Sequence, residues 1–198
     1  MHGLINRSIQ CFLRDAYGQD RWRCVVQAAQ LDVDSFETML HYDDAVTEAL
    51  LDAAAAVLGR PRETVLEDLG TYLVSHPNLE PLRRLLRFGG VCFLDFLRSL
   101  DDLPGRGHLA VPDLDLPQLE LIERGGGQFT LLCRGGPAGA VHVLVGVLRA
   151  MADDYGALVL LDHSGREGGA EGGAETISIH LLDHSFAEGR HFALAAGN

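Results

Sequence analysis

LELIERGGGQFTLLC at residues 119–133 decides the fold class, together with AVHVLVGVLRAMADDYG, which follows at 140–156. The first reads as two short strands around a Gly125-Gly126-Gly127 turn, a β-hairpin. The second has helical period, with Val143, Val147, Leu148 and Met151 recurring on one face. Beyond it, 157–161 is an apolar run and 176–182 alternates as a strand does. SGREGGAEGGAE at 164–175 lies between them; poor in apolar residues and rich in glycine, it predicts a mobile hairpin loop.

Everything upstream of the hairpin reads as helix or link. Leu4, Ile5, Ile9, Phe12 and Leu13 recur at helical spacing up to Gly18, and Trp22, Val25, Val26 and Ala29 mark a second, shorter helix. Residues 31–36 form a turn-rich link. Residues 41–58 carry a strong helix signal stopped by Gly59 and Pro61, and Thr64 starts another helix with Val65, Leu66, Leu69, Tyr72 and Leu73 on one face. Segments 79–86 and 91–103 complete the helical part. Pro104, Gly105, Gly107, Pro112 and Pro117 then predict an extended link. Helices followed by strand, strand, helix, strand, strand is an α+β layout.

Composition removes several function classes. The chain has 198 residues with 28 carboxylates against 16 basic side chains, a formal charge of −12, and every basic residue is arginine. Without lysine there is no Schiff base to pyridoxal phosphate, no phosphate-loop lysine and no kinase strand lysine. The acidic balance, with no clustered basic residues, argues against nucleic acid and anionic membrane as partners. No apolar run reaches the roughly 18 residues of a membrane helix, and MHGLINRSIQ at 1–10 has no basic leader. Cys11, Cys24, Cys92 and Cys133 form no Cys-x-x-Cys pair and read as reduced thiols, so a cytoplasmic protein is expected.

MHGLIN at 1–6, Tyr17-Gly18 followed by Trp22, HYDD at 41–44, LRFGGVCFLDFLRSLDDL at 86–103, VPDLDLP at 111–117 and VHVLVGVLRAMADDYG at 141–156 stand in collinear order. As a set they resemble the haem nitric oxide/oxygen binding (H-NOX) family over about residues 1–182. The resemblance implies a helical N-terminal lobe (about 1–60), a larger lobe (about 61–182) with a four-stranded antiparallel sheet and one long packing helix, and a tail at 183–198. It also implies haem b held between the lobes, with Leu4 and Ile5 in the pocket lining and Pro117 packed on the macrocycle.

In the family, an axial histidine follows a Leu-Asp-x-Leu segment, and a Tyr-x-Ser-x-Arg motif clamps the propionates. Carried onto this chain, the ligand position falls on Pro104, and the clamp falls on Cys133, Gly135 and Pro137, with Arg134 between. Proline offers iron no lone pair. The spacings from Pro104 to Pro112 and Pro117 match the family's two prolines. All the haem-fixing positions therefore differ, and family-type haem binding is in doubt.

Substitutes for the missing groups are few. His108 and Cys92 are candidate axial ligands, against an ordinary loop histidine and a buried apolar thiol. Arg134 is a candidate propionate partner, against a surface arginine at a strand end. His41, His76 and His142 have no partner at metal-ligand spacing, and His163, His180, His184 and His191 do not repeat as a zinc site requires. The acidic pairs Asp43-Asp44, Asp101-Asp102 and Asp153-Asp154 read as helix caps or solvated faces, and no nucleophile elbow or dinucleotide fingerprint is present.

An enzyme is thus the weakest class. The resemblance and the chain's length imply a stand-alone sensory module acting on a histidine kinase or a cyclic-di-GMP enzyme (diguanylate cyclase or phosphodiesterase), with NO as the family's ligand. A haem-free interaction module on the same fold, haem on a substitute ligand, and redox sensing through Cys92 or Cys133 are the alternatives.

Overall fold

The hairpin forms where the glycines place it. In the computed structural model, which describes residues 1–33, 35–167 and 173–190 without the side chains of Arg166 and Glu167, β1 (Gln118–Gly125) and β2 (Gln128–Arg134) pair antiparallel. Gly125, Gly126 and Gly127 all have positive φ, which side chains disfavour. Helix α8 (Ala140–Tyr155) follows, then β3 (Leu158–Glu167) and β4 (Ala174–Asp183). The four strands form one antiparallel sheet in the order β1-β2-β4-β3. This is the expected α+β fold with one long helix packed on the sheet.

The helical part comprises α1 (Gly3–Tyr17), α2 (Gln19–Ala28), α3 (Asp44–Leu58), α4 (Arg62–Ser75), α5 (Glu80–Arg87), α6 (Phe93–Arg98) and α7 (Leu103–Ala110). Two apolar cores result. One joins α1 to α4 through Ile9, Phe12, Trp22, Phe36, Leu50 and Leu66. The other lies under the sheet, with Phe93, Phe96, Leu131, Leu148, Met151 and Ile177. Val143 on α8 packs against both cores. Of the described helices, none is long and apolar enough to cross a membrane.

Three local expectations are corrected. Residues 91–103 are not one helix: α6 ends at Arg98, a 3-10 turn spans Leu100–Asp102, and α7 begins anew. Residues 104–110 are helix, not extended link. Pro104 sits in the first turn of α7, where its missing N–H costs nothing, and Arg106 ties the helix down by donating to the Ser99 (2.9 Å) and Leu85 (3.3 Å) carbonyls. A Cβ on Gly107 would lie 2.4 Å from Leu116, so the small residue lets the following segment fold back. The loop expected over 164–175 is strand at both ends; its middle, 168–172, lies outside the described residues, as does His191.

Candidate functional site at the start of the long helix

The segment from β2 into α8 runs Cys133, Arg134, Gly135, Gly136, Pro137, Ala138, Gly139, and it bounds a cavity of about 110 Å³ whose wall also includes Pro117 and Glu175. Cys133 is the last residue but one of β2, on the buried side of the sheet, and burial, aided by the nearby Glu175 carboxylate, pushes its thiol up to about 12. The thiol is therefore protonated and unreactive at neutral pH. Arg134 points outward and pairs with Glu120 across the hairpin at 2.6 Å.

Pro117 meets this segment directly. A Cβ on Gly136 would lie 2.7–3.0 Å from Pro117 N, Cα and Cδ, so the proline ring rests on the Gly136 main chain. Gly139 approaches Leu66 of α4 in the same way, at 2.6 Å. Further along α8, Gly146 and Gly70 bring the helices into backbone contact: a Cβ on Gly146 would lie 1.9 Å from the Glu67 carbonyl, and one on Gly70 would lie 2.0 Å from the Val143 carbonyl. The seam between the cores is thus filled by the chain itself along this line.

The remaining candidates are dispersed. Pro104 is half-buried on α7. His108, on the same helix, is exposed, with Nε2 2.9 Å from the Leu114 carbonyl. Cys92 caps α6, and its side chain hydrogen-bonds Asp95, which holds that carboxyl below its ordinary range. Leu4 and Ile5 are half-buried on α1, and Ile5 packs on the first core. His142, in the first turn of α8, lies edge-on to His163 with ring centroids 4.8 Å apart; His163 Nε2 is 2.8 Å from Glu175. Burial, then the neighbouring His163, lowers the His142 pKa. No group of three metal-ligating side chains converges among the described residues.

The acidic pairs divide. Asp43 caps α3, accepting from Ala45 N–H at 3.0 Å, and Asp101 accepts from Leu121 N–H at 2.9 Å. Asp154, expected to cap or face water, is instead 1% exposed. At the far end of α8 its Oδ1 takes Arg83 at 2.7–2.8 Å and its Oδ2 takes Arg87 at 3.0 Å. The Arg87 guanidinium stacks 3.9 Å over the Tyr155 ring, and Tyr155 donates to the Gly90 carbonyl at 3.0 Å. Nothing local in the sequence signals this network, because its partners are 67 and 71 residues apart.

Comparison with known proteins places the fold. Solved structures with the same architecture include an H-NOX protein from S. oneidensis (TM-score 0.78, 14% identity, 93% of this chain and 98% of that one). A mutant H-NOX from T. tengcongensis is similar (TM-score 0.77, 12% identity, 93% and 99%). Among sequences, soluble guanylate cyclase 89Db of Drosophila melanogaster is 25% identical over 155 residues, covering 78% of this chain and 23% of that protein. Soluble guanylate cyclase gcy-31 of Caenorhabditis elegans is 24% identical over 154 residues, covering 78% and 22%. The chain thus spans less than a quarter of the length of these relatives. The haem-NO-binding family model matches residues 2–163, and with four-fifths of its length inside that match the chain belongs to the haem-NO-binding, or H-NOX, family.

Proposed function

We propose that this chain is an H-NOX-type regulatory domain that acts on a signalling protein without the family's haem. Family membership supports the regulatory role, and the curated relatives are cyclases, proteins of the signalling class. A histidine kinase or a cyclic-di-GMP enzyme is the partner class we favour. The charge of −12 supports a protein partner over nucleic acid or membrane, and the four free cysteines are in keeping with a cytoplasmic setting.

One observation carries the haem-free reading: Pro117 is seated on the Gly136 main chain. In this reading that contact takes up the surface Pro117 would turn to a macrocycle. The donor set agrees, since Pro104 offers no lone pair, Cys133, Gly135 and Pro137 offer no clamp, and Arg134 is held by Glu120. The cavity beside them, about 110 Å³, falls below the roughly 300 Å³ at which ligand pockets begin. The residues present do not fit haem b, and no NO-triggered step is derived through it. In this reading α8 transmits signals through its protein contacts at either end.

Hemin titration of the purified protein tests the proposal. The expected result is broad, non-saturating absorbance, unchanged in Pro104→His because Pro117 and Gly136 still close the space. A sharp one-to-one Soret band that shifts with NO overturns the haem-free reading. Loss of that band in His108→Ala or Cys92→Ala would then identify the substitute ligand.

A further inference from the structure

The two edges of the sheet are treated differently. At the β1 edge, the outward N–H of Leu121 is taken by Asp101 from the 3-10 turn packed alongside. Among the described residues, the β3 edge has no such cover. Leu181 N–H donates to Gly127 on the β2 side at 2.8 Å, so Leu181 and Ile179 turn their backbone groups toward β2 and away from β3. Their partners on β3 are Val159 and Leu161, with His163 opposite Ile177 next in register. These three residues therefore aim N–H and C=O outward, while Leu160 and Asp162 bond to β4. Among the described residues, none of these outward groups has a backbone partner.

Side chains along this edge specify what could pair there. Val159 and Leu161 face inward and are partly buried against the lower core. Leu160, 59% exposed, and Asp162 face outward, and Asp183 lies opposite Leu158 at the end of the strand. No arginine lies between Leu158 and Ser164, and His163 on the inward face is engaged with Glu175 at 2.8 Å. An added strand would extend the core with apolar residues on one face and place cations beside Asp162 and Asp183 on the other. A second copy is a poor occupant: two chains of charge −12 repel, and an antiparallel self-pair brings carboxylates together.

We propose that the β3 edge from Val159 to His163 is a docking site for an extended segment of the regulated protein, alternating apolar and basic, which joins the sheet as a fifth strand. This deepens the regulatory reading above and rests on it for the identity of the partner, but not for the chemistry of the edge.

The test uses a short synthetic peptide of alternating lysine and valine, and the same peptide N-methylated at alternate residues to remove its strand donors. Before addition, the Leu160 and Asp162 amides should exchange slowly and those of Val159, Leu161 and His163 quickly. The plain peptide should slow all three fast amides. Leu161→Pro removes an N–H that β4 does not use, and should weaken binding about tenfold with the fold intact by circular dichroism. Asp162→Lys, which leaves the backbone untouched, should transfer preference to a glutamate-valine peptide. Equal binding of the N-methylated peptide, no protection at the three amides, or concentration-dependent dimers through this edge would each overturn the proposal. The hemin titration tests the haem-free regulatory reading separately, and neither result decides the other.

Discussion

The two ends of α8 handle charge in opposite ways. At its C-terminal end Asp154 is sealed from water with two arginines, one stacked on an aromatic ring; at its N-terminal end Arg134 and Glu120 meet in the open, 47% and 50% exposed. Buried carboxylates and guanidiniums lose their hydration and depend on one another; exposed ones keep their water and gain little by pairing. The C-terminal end therefore anchors the helix to α5. Near its N-terminal end, glycine and proline at residues 135–139 let the main chain pack directly, Gly136 on Pro117 and Gly139 on Leu66.

The sharpest way to break this contrast is Asp154→Ala, which leaves Arg83 and Arg87 facing each other in the interior. A loss of about 3–5 kcal/mol in urea unfolding is expected; a loss below about 1 kcal/mol would place the network in the same class as the exposed pair. Between the extremes lies His142. Its folded pKa is below the ordinary 6.5, so as pH falls through that value the unfolded chain takes up the proton first and stability drops, until the folded imidazole also protonates. His142→Gln should flatten this part of the stability curve, read from denaturation midpoints as pH is lowered from neutral through the ordinary histidine value of 6.5; an unchanged slope would assign it to other groups. Arg134→Ala should have the smallest effect, about 0–1 kcal/mol, because water replaces what Glu120 loses.

How far the sequence disclosed these features depended on whether the interacting groups lie near one another in the chain. The spacing of Val143, Val147, Leu148 and Met151 and the triple glycine at 125–127 are local signals, and α8 and the hairpin follow from them. The proline at residue 104, where the resemblance puts the family's axial histidine, is also visible without coordinates. The same proline misled for 104–110: a first-turn proline and a chain break look alike until Arg106 is seen holding the Ser99 and Leu85 carbonyls. The seat of Pro117 on Gly136 and the partners of Asp154 are long-range contacts that no window of sequence contains.

Asp101 has a consequence for assembly. Aggregates of the cross-β kind need two receptive edges per sheet, since each added strand must offer a fresh template on its far side. By occupying the Leu121 N–H, Asp101 obstructs strand addition at the middle of the β1 edge. A strand added at β3 then meets no equally open edge at β1, which disfavours growth of native sheets into a filament.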